Sequence, residues 1–172
     1  VEKVLPDHND RRERVLPHVV EAGRDCPQMT ICTIEGPLFF GSAQQFEKMI
    51  QQIVHPEATI VLFRLGKVPY IDTTGATNMA SVVRAFQEKG GTVIISAIQQ
   101  QPRSLLKKTG LYDEIGEPHF FEHTGEAIHY ALHHINLKKC VGCQQFAFRE
   151  CQQLSMPQTN EGANDELRTT KI

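Results

Sequence analysis

Ile71-Asp72-Thr73-Thr74-Gly75-Ala76 sets one carboxylate, two hydroxyls and a glycine in succession. Those residue types suit three kinds of chemistry. An acid and hydroxyls ahead of a helix accept hydrogen bonds from its first, unpaired N–H groups, so the stretch reads as a helix cap. The same N–H groups and the helix dipole favour an anion, so a hydroxyl placed there can meet or carry a phosphate. A phosphoryl group on Thr73 or Thr74 would add a charge of roughly −1.5 to −2, and beside Asp72 that charge would reshape a partner surface. The third kind is hydrolysis. The sequence argues against it, because no Gly-x-Ser-x-Gly elbow is present and no histidine is placed along the chain to activate either hydroxyl. Cap and phosphate site stay open together.

A second group of reactive residues lies late in the chain. Cys140-Val141-Gly142-Cys143 is a Cys-x-x-Cys, with Cys151 downstream and His129, His133 and His134 upstream. Two thiolates with a third cysteine or a histidine make a tetrahedral zinc set. The step from Cys143 to Cys151 is not a recognised finger spacing, and the chain has no Trp to supply a thioredoxin-type Trp-Cys context. The expectation is no metal and no cofactor, with Cys140, Cys143 and Cys151 as the residues that would supply a metal site. His133 and His134 are adjacent, so they cannot share one helical face. Arg103, Lys107 and Lys108 form a basic group that reads as a solvated face. The alternative for them is contact with an acidic partner or with phosphate near Thr73.

These residues must be positioned by alternating elements. Met29 to Glu35 reads as a strand, and Gly36-Pro37 breaks it. Leu38-Phe39-Phe40 is a short extended piece. A helix follows from Ser42, as its cap, to Val54, burying Ala43, Phe46, Met49, Ile50, Ile53 and Val54. Thr59 to Leu65 is apolar apart from Arg64, the pattern of a strand covered on both faces. Gly66 to Pro69 reads as a turn. A helix from Gly75 to Lys89 buries Ala76, Met79, Val82, Val83 and Phe86 and stops at Gly90-Gly91. Thr92 to Ala97 is a further strand. Pro102 opens a short helix that ends at Lys108 and is closed by Gly110. Phe120-Phe121 is an edge strand. Thr124 caps a last helix burying Ala127, Ile128, Ala131, Leu132 and Ile135. The order predicts an α/β fold: a central mixed or parallel sheet of four to five strands with helices packed mainly on one side.

Composition narrows the function classes. The chain has 172 residues and a net charge of −2, which argues against general nucleic-acid binding and against a polybasic membrane anchor. Its apolar runs, such as Thr59 to Phe63, are too short to span a bilayer. The first residues mix charge and proline, unlike a signal peptide. Five cysteines, an odd number without such a signal, point to a reducing compartment and away from a disulfide scaffold.

Ile71-Asp72-Thr73-Thr74-Gly75-Ala76, after an apolar strand and Val68-Pro69, resembles the signature of STAS domains, which anti-sigma factor antagonists and SulP-type anion transporters share. Gly90-Gly91-Thr92-Val93-Ile94-Ile95 and Leu105-Leu106-Lys107-Lys108-Thr109-Gly110-Leu111 match the family's order. Glu35-Gly36-Pro37-Leu38-Phe39-Phe40-Gly41-Ser42-Ala43 resembles the corresponding segment of the SulP branch, where free antagonists carry a polar stretch.

The resemblance implies a STAS-like fold and a non-enzymatic regulatory and protein-interaction domain. It would sit at the C-terminus and cytoplasmic face of a SulP-family transporter of sulfate, bicarbonate or dicarboxylate. It divides the chain into a connector at 1–26 following a membrane domain, a STAS domain at 27–136, and a polar, cysteine-containing, partly disordered tail at 137–172. The implied partners are the transporter's own membrane domain, a cytoplasmic regulatory protein, and an anion or nucleotide at Asp72, Thr73, Thr74 and Gly75. Nucleic acid is not expected, and the parent transporter is expected to be a homodimer. Leu38, Phe39 and Phe40 are either core beneath the first helix or a docking face. The alternative from the same resemblance is a soluble anti-sigma antagonist switch phosphorylated at Thr73.

Overall fold

The computed structural model describes residues 2–3, 5–6, 15–16, 26–38, 48, 50–145, 147–148 and 150–156. Phe39, Phe40 and most of the helix expected from Ser42 lie outside them, and residues 50–53 are helical. The strands are β1 (Glu2–Lys3), β2 (Leu5–Pro6), β3 (Val15–Leu16), β4 (Met29–Glu35), β5 (Ile60–Lys67), β6 (Thr92–Ser96) and β7 (Phe120–Phe121). The helices are α1 (Thr73–Gln87), α2 (Gln100–Thr109), α3 (Leu111–Ile115), α4 (Thr124–Leu132) and α5 (Cys151–Leu154).

One sheet runs in the order β1-β4-β5-β6-β7. The four strands from β4 to β7 pair in parallel, and β1 adds antiparallel at the β4 edge. The continuous apolar run of β5 follows from burial on both faces, with successive side chains pointing to opposite sides. Val61, Phe63 and Leu65 face one core, with Cys32 and Ile34 of β4 and Val93 and Ile95 of β6. α1, α2 and α3 close it through Met79, Val83, Leu106, Leu111 and Ile115. Ile60 and Leu62 face the other core with Met29, Ile31 and Ile94, under Ala127, Ile128, Ala131 and Leu132 of α4. Most helices are on one side, as expected, and α4 is on the other.

Several boundaries differ from expectation. β5 continues through Gly66 and Lys67, where a turn was expected, and Gly36 N–H donates to the Lys67 carbonyl at 3.0 Å. α1 begins at Thr73 rather than Gly75. α2 begins at Gln100, so Pro102 is its third residue. A helix's first four N–H groups have no partner within it, so proline costs no hydrogen bond there either. α3 was not anticipated: Gly110, at φ 82°, ends α2 and restarts the chain at once. Thr124 is the first residue of α4 and not its cap.

Beyond residue 136 the chain does not leave the body at once. Ala147 and Phe148 are buried in the core beneath α4. The expected boundary at 136 therefore falls inside the packed structure, because the apolar pair in a polar stretch covers α4's remaining face.

Candidate functional site

The Asp72 junction lies past the carboxyl end of β5, where open α/β sheets place ligand sites. Asp72 is extended, at φ −93° and ψ 175°, and its carboxylate accepts from Gly75 N–H at 2.6 Å. That is the cap read from sequence. Thr73 is the first residue of α1 and is exposed, whereas Thr74 is half-buried. No acidic side chain stands in the first turn of α1. The hydroxyl beside the cap is thus open to a partner.

Two stretches distant in sequence form one site here. Leu38 N–H donates to the Tyr70 carbonyl at 3.0 Å, and Asp72 N–H donates to the Leu38 carbonyl at 3.3 Å. These two bonds make an isolated parallel bridge between Leu38 and Ile71. The Leu38 side chain is half-buried against the core under α1. The helix expected over Leu38, from Ser42 to Val54, lies mostly outside the described residues.

Gln101 holds the junction from the other side. Its amide accepts from Ile71 N–H at 2.9 Å and donates to the Ile71 carbonyl at 3.0 Å. Gln99 similarly donates to the Gly66 carbonyl at 2.8 Å. α2 therefore clamps the chain on either side of Val68 and Pro69. Sequence reading missed both glutamines. Their only signal was position, at the start of a helix following a parallel strand.

The basic candidates are spoken for in part. Arg103 pairs with Glu122 at 2.7 Å. Lys107 Nζ stands 4.6 Å from the centre of the Tyr112 ring. Lys108 is exposed.

Arg64, the charged interruption of β5, has a role that sequence did not give it. It is half-buried and donates to the Thr124 hydroxyl at 3.2 Å and the Thr33 hydroxyl at 3.5 Å. The Ser96 and Thr124 hydroxyls lie 3.1 Å apart. Burial pulls the guanidinium's pKa below its ordinary value, and Glu35 pushes it back up. Two hydroxyls, from β4 and α4, thus receive one cation of the central strand, and Ser96 of β6 reaches it only through Thr124.

The late residues sort differently. His133 lies 4.4 Å ring to ring from His129, while His134 stacks on Tyr130 at 4.0 Å, so the two adjacent histidines do turn to separate neighbours. Cys140, Cys143 and Cys151 come together around one small hollow, and Cys26 joins them. A hollow of about 530 Å³ lies at the opposite end of the sheet, lined by Thr59, Phe86 and Gly91, away from Asp72.

Comparison with known proteins places this geometry among relatives. The family model for the STAS domain matches residues 20–127. A Bacillus subtilis (strain 168) protein named as a sulfate transporter, YvdB, is 36% identical over 109 residues, which is 63% of this chain and 21% of that protein. The chain thus spans about a fifth of that relative's length. The STAS domain of a SulP transporter from Vibrio cholerae superposes with a TM-score of 0.54 at 28% identity, covering 62% of this chain and 83% of that one. The murine Solute Carrier 26 family member A9 anion transporter shares the fold, with a TM-score of 0.66 at 14% identity over 77% of this chain and 22% of that one.

Proposed function

The chain belongs to the STAS domain family, and we propose that it is the C-terminal regulatory and interaction domain of a SulP-type anion transporter, on the membrane's cytoplasmic face. The transported anion would be of the sulfate, bicarbonate or dicarboxylate class. The domain would work by contact rather than catalysis, with the transporter's membrane domain as its first partner. Residues 1–26 would be the connector from that membrane domain. The parent would be a homodimer, and a cytoplasmic regulatory protein, an anion or a nucleotide would act at the Asp72–Gly75 junction.

One observation carries this reading. The Glu35–Leu38 stretch, which carries the transporter-like sequence, is hydrogen-bonded to Tyr70 and Asp72 at the family's signature. The stretch and the signature therefore form one composite surface. Similarity to a named sulfate transporter and to a SulP transporter STAS domain supports the same branch.

The test uses the whole reading frame that contains this chain. The encoded protein is expected in the membrane fraction, and vesicles holding it are expected to take up labelled anion at a rate changed by Leu38→Asp. A reading frame with no membrane-spanning helices, giving a protein found only in the soluble fraction, would overturn the reading.

The exposed Thr73 hydroxyl directly after Asp72 favours a second reading, a soluble antagonist-type switch. Phosphorylation of Thr73 by an anti-sigma kinase, lost in Thr73→Ala, would favour it over the first.

A further inference from the structure

Four of the five cysteines converge where the start of β4 meets the segment after α4. Cys26, Cys140, Cys143 and Cys151 line a hollow of about 20 Å³, roofed by Leu132 and Ile135. Among the described residues no group of three or more His, Cys, Asp or Glu side chains is placed to hold a metal ion. The chemistry this geometry offers is therefore between two sulfurs.

The pair is chosen by the backbone. Cys143 N–H donates to the Cys140 carbonyl at 3.0 Å, and Gly142 between them has φ 74°. A turn bonded in that way keeps its end Cα atoms within about 7 Å. Disulfides span Cα separations of about 4.4–6.8 Å. Cys140 and Cys143 are both half-buried, and Val141 and Gly142 between them are exposed, so a reagent can reach the turn.

The other two thiols are otherwise held. Cys26 is buried, and burial pushes its thiol up to about 11. The Cys151 sulfur accepts from Phe148 N–H at 3.3 Å, and burial raises the pKa of Cys151 and of Cys140 alike, so the backbone turn and not acidity selects the pair. Cys140 lies close to the Gln28 amide, whose nitrogen donates to its sulfur at 3.6 Å.

We propose that Cys140 and Cys143 form a dithiol modification site that exchanges with small-molecule disulfides of the glutathione type. The Cys143 thiol loses its proton and attacks one sulfur of the disulfide RSSR. RS⁻ leaves and takes up that proton. The Cys140 thiol then loses its proton and attacks the Cys143 sulfur, expelling a second RS⁻, which is protonated in turn. Two protein thiols are oxidised to one S–S bond, and RSSR is reduced to two RSH. The pair lies beyond the residues that the STAS family model matches, so this chemistry belongs to the chain's own C-terminal segment.

The experiment incubates the reduced 172-residue chain with oxidised glutathione, quenches with acid, counts free thiols after unfolding and maps the linked peptides by mass spectrometry. The five thiols of the chain should fall by two, with one peptide linking Cys140 to Cys143. Cys26→Ser and Cys151→Ser should also lose two thiols. Cys140→Ser and Cys143→Ser should form no internal disulfide. A chain that keeps all its thiols free overturns the proposal. So does a linkage that includes Cys26 or Cys151, or a glutathione adduct that never resolves into a protein disulfide. Near-stoichiometric zinc in the purified chain, lost in the Cys26→Ser and Cys151→Ser variants, overturns it too by assigning the thiols to a metal.

Discussion

The Leu38 carbonyl oxygen stands 2.5 Å from the point a side chain would occupy at Gly75. Gly75 does not have a positive φ, so glycine is required there by this approach rather than by its backbone angle. The contact partner is backbone, held by its bond from Asp72, and cannot swing aside. Gly75→Ala should therefore destabilise the domain by about 1–3 kcal/mol, as overpacking does. Alanine's better helix propensity, about 1 kcal/mol, offsets only part of this. Urea unfolding should give a lower midpoint with an unchanged slope.

Asp72→Ala removes the acceptor for Gly75 N–H and should cost about 0.5–2 kcal/mol, the usual range for a lost cap. Asp72→Asn keeps an acceptor oxygen and should cost less. Equal losses in the two variants on thermal unfolding would show that the charge, and not the hydrogen bond, holds the junction.

Gln101→Ala leaves both polar groups of the buried Ile71 backbone without their side-chain partner. Unmade bonds of this kind cost about 1–3 kcal/mol. Amide hydrogen exchange should quicken at Ile71 while the amides of β6 stay protected, which separates local loosening from global unfolding.

The pH dependence has a sign set by Cys26. Burial raises its folded-state pKa from 9.0 to about 11, so the unfolded chain ionises first as pH rises. The thiol's contribution is fully present below about pH 9 and is lost as pH climbs towards 11. Stability measured from pH 8 to 11 should fall, and Cys26→Ala should flatten that fall.

Glu114 acts at the acid end. Arg84 donates to both its carboxylate oxygens, at 2.7 and 2.9 Å, and holds its pKa below the ordinary 4.5. The pair contributes above that pH and is lost as pH falls through the lowered value. Both groups are largely solvent-exposed, so the effect is small and screened by salt. The stability difference between the native chain and Glu114→Gln should be present at pH 7, shrink as pH falls below 4.5, and be lost once the pH lies below the lowered value.

Much of this fold was legible because its causes are local. β4 runs over Met29–Glu35, as its β-branched pattern predicted, and the unbroken apolar run of β5 reported its two covered faces correctly. What escaped the sequence depends on neighbours far along the chain. Thr124 is a favoured cap residue, but its hydroxyl is taken by Arg64 and Ser96, so His123 occupies the cap without a side-chain bond. Phe148 stands in a polar stretch, and only the uncovered face of α4 explains its burial. At the junction, Asp72 and Gly75 were readable as a local cap. The Leu38 and Gln101 contacts that complete it span 30 residues or more and leave no periodic trace.

Gln28 exchanges two hydrogen bonds with the Asn136 backbone, at 3.0 and 3.1 Å, across 108 residues of chain. During synthesis this closure must wait. Every strand of the sheet is already complete before Asn136 leaves the ribosome, and so are all the helices of the α1 face. The Ile60 and Leu62 face acquires its seal last. A nascent chain would therefore carry one finished core and one that has α4 but still lacks Ala147 and Phe148, and that incomplete side is where a chaperone would find purchase.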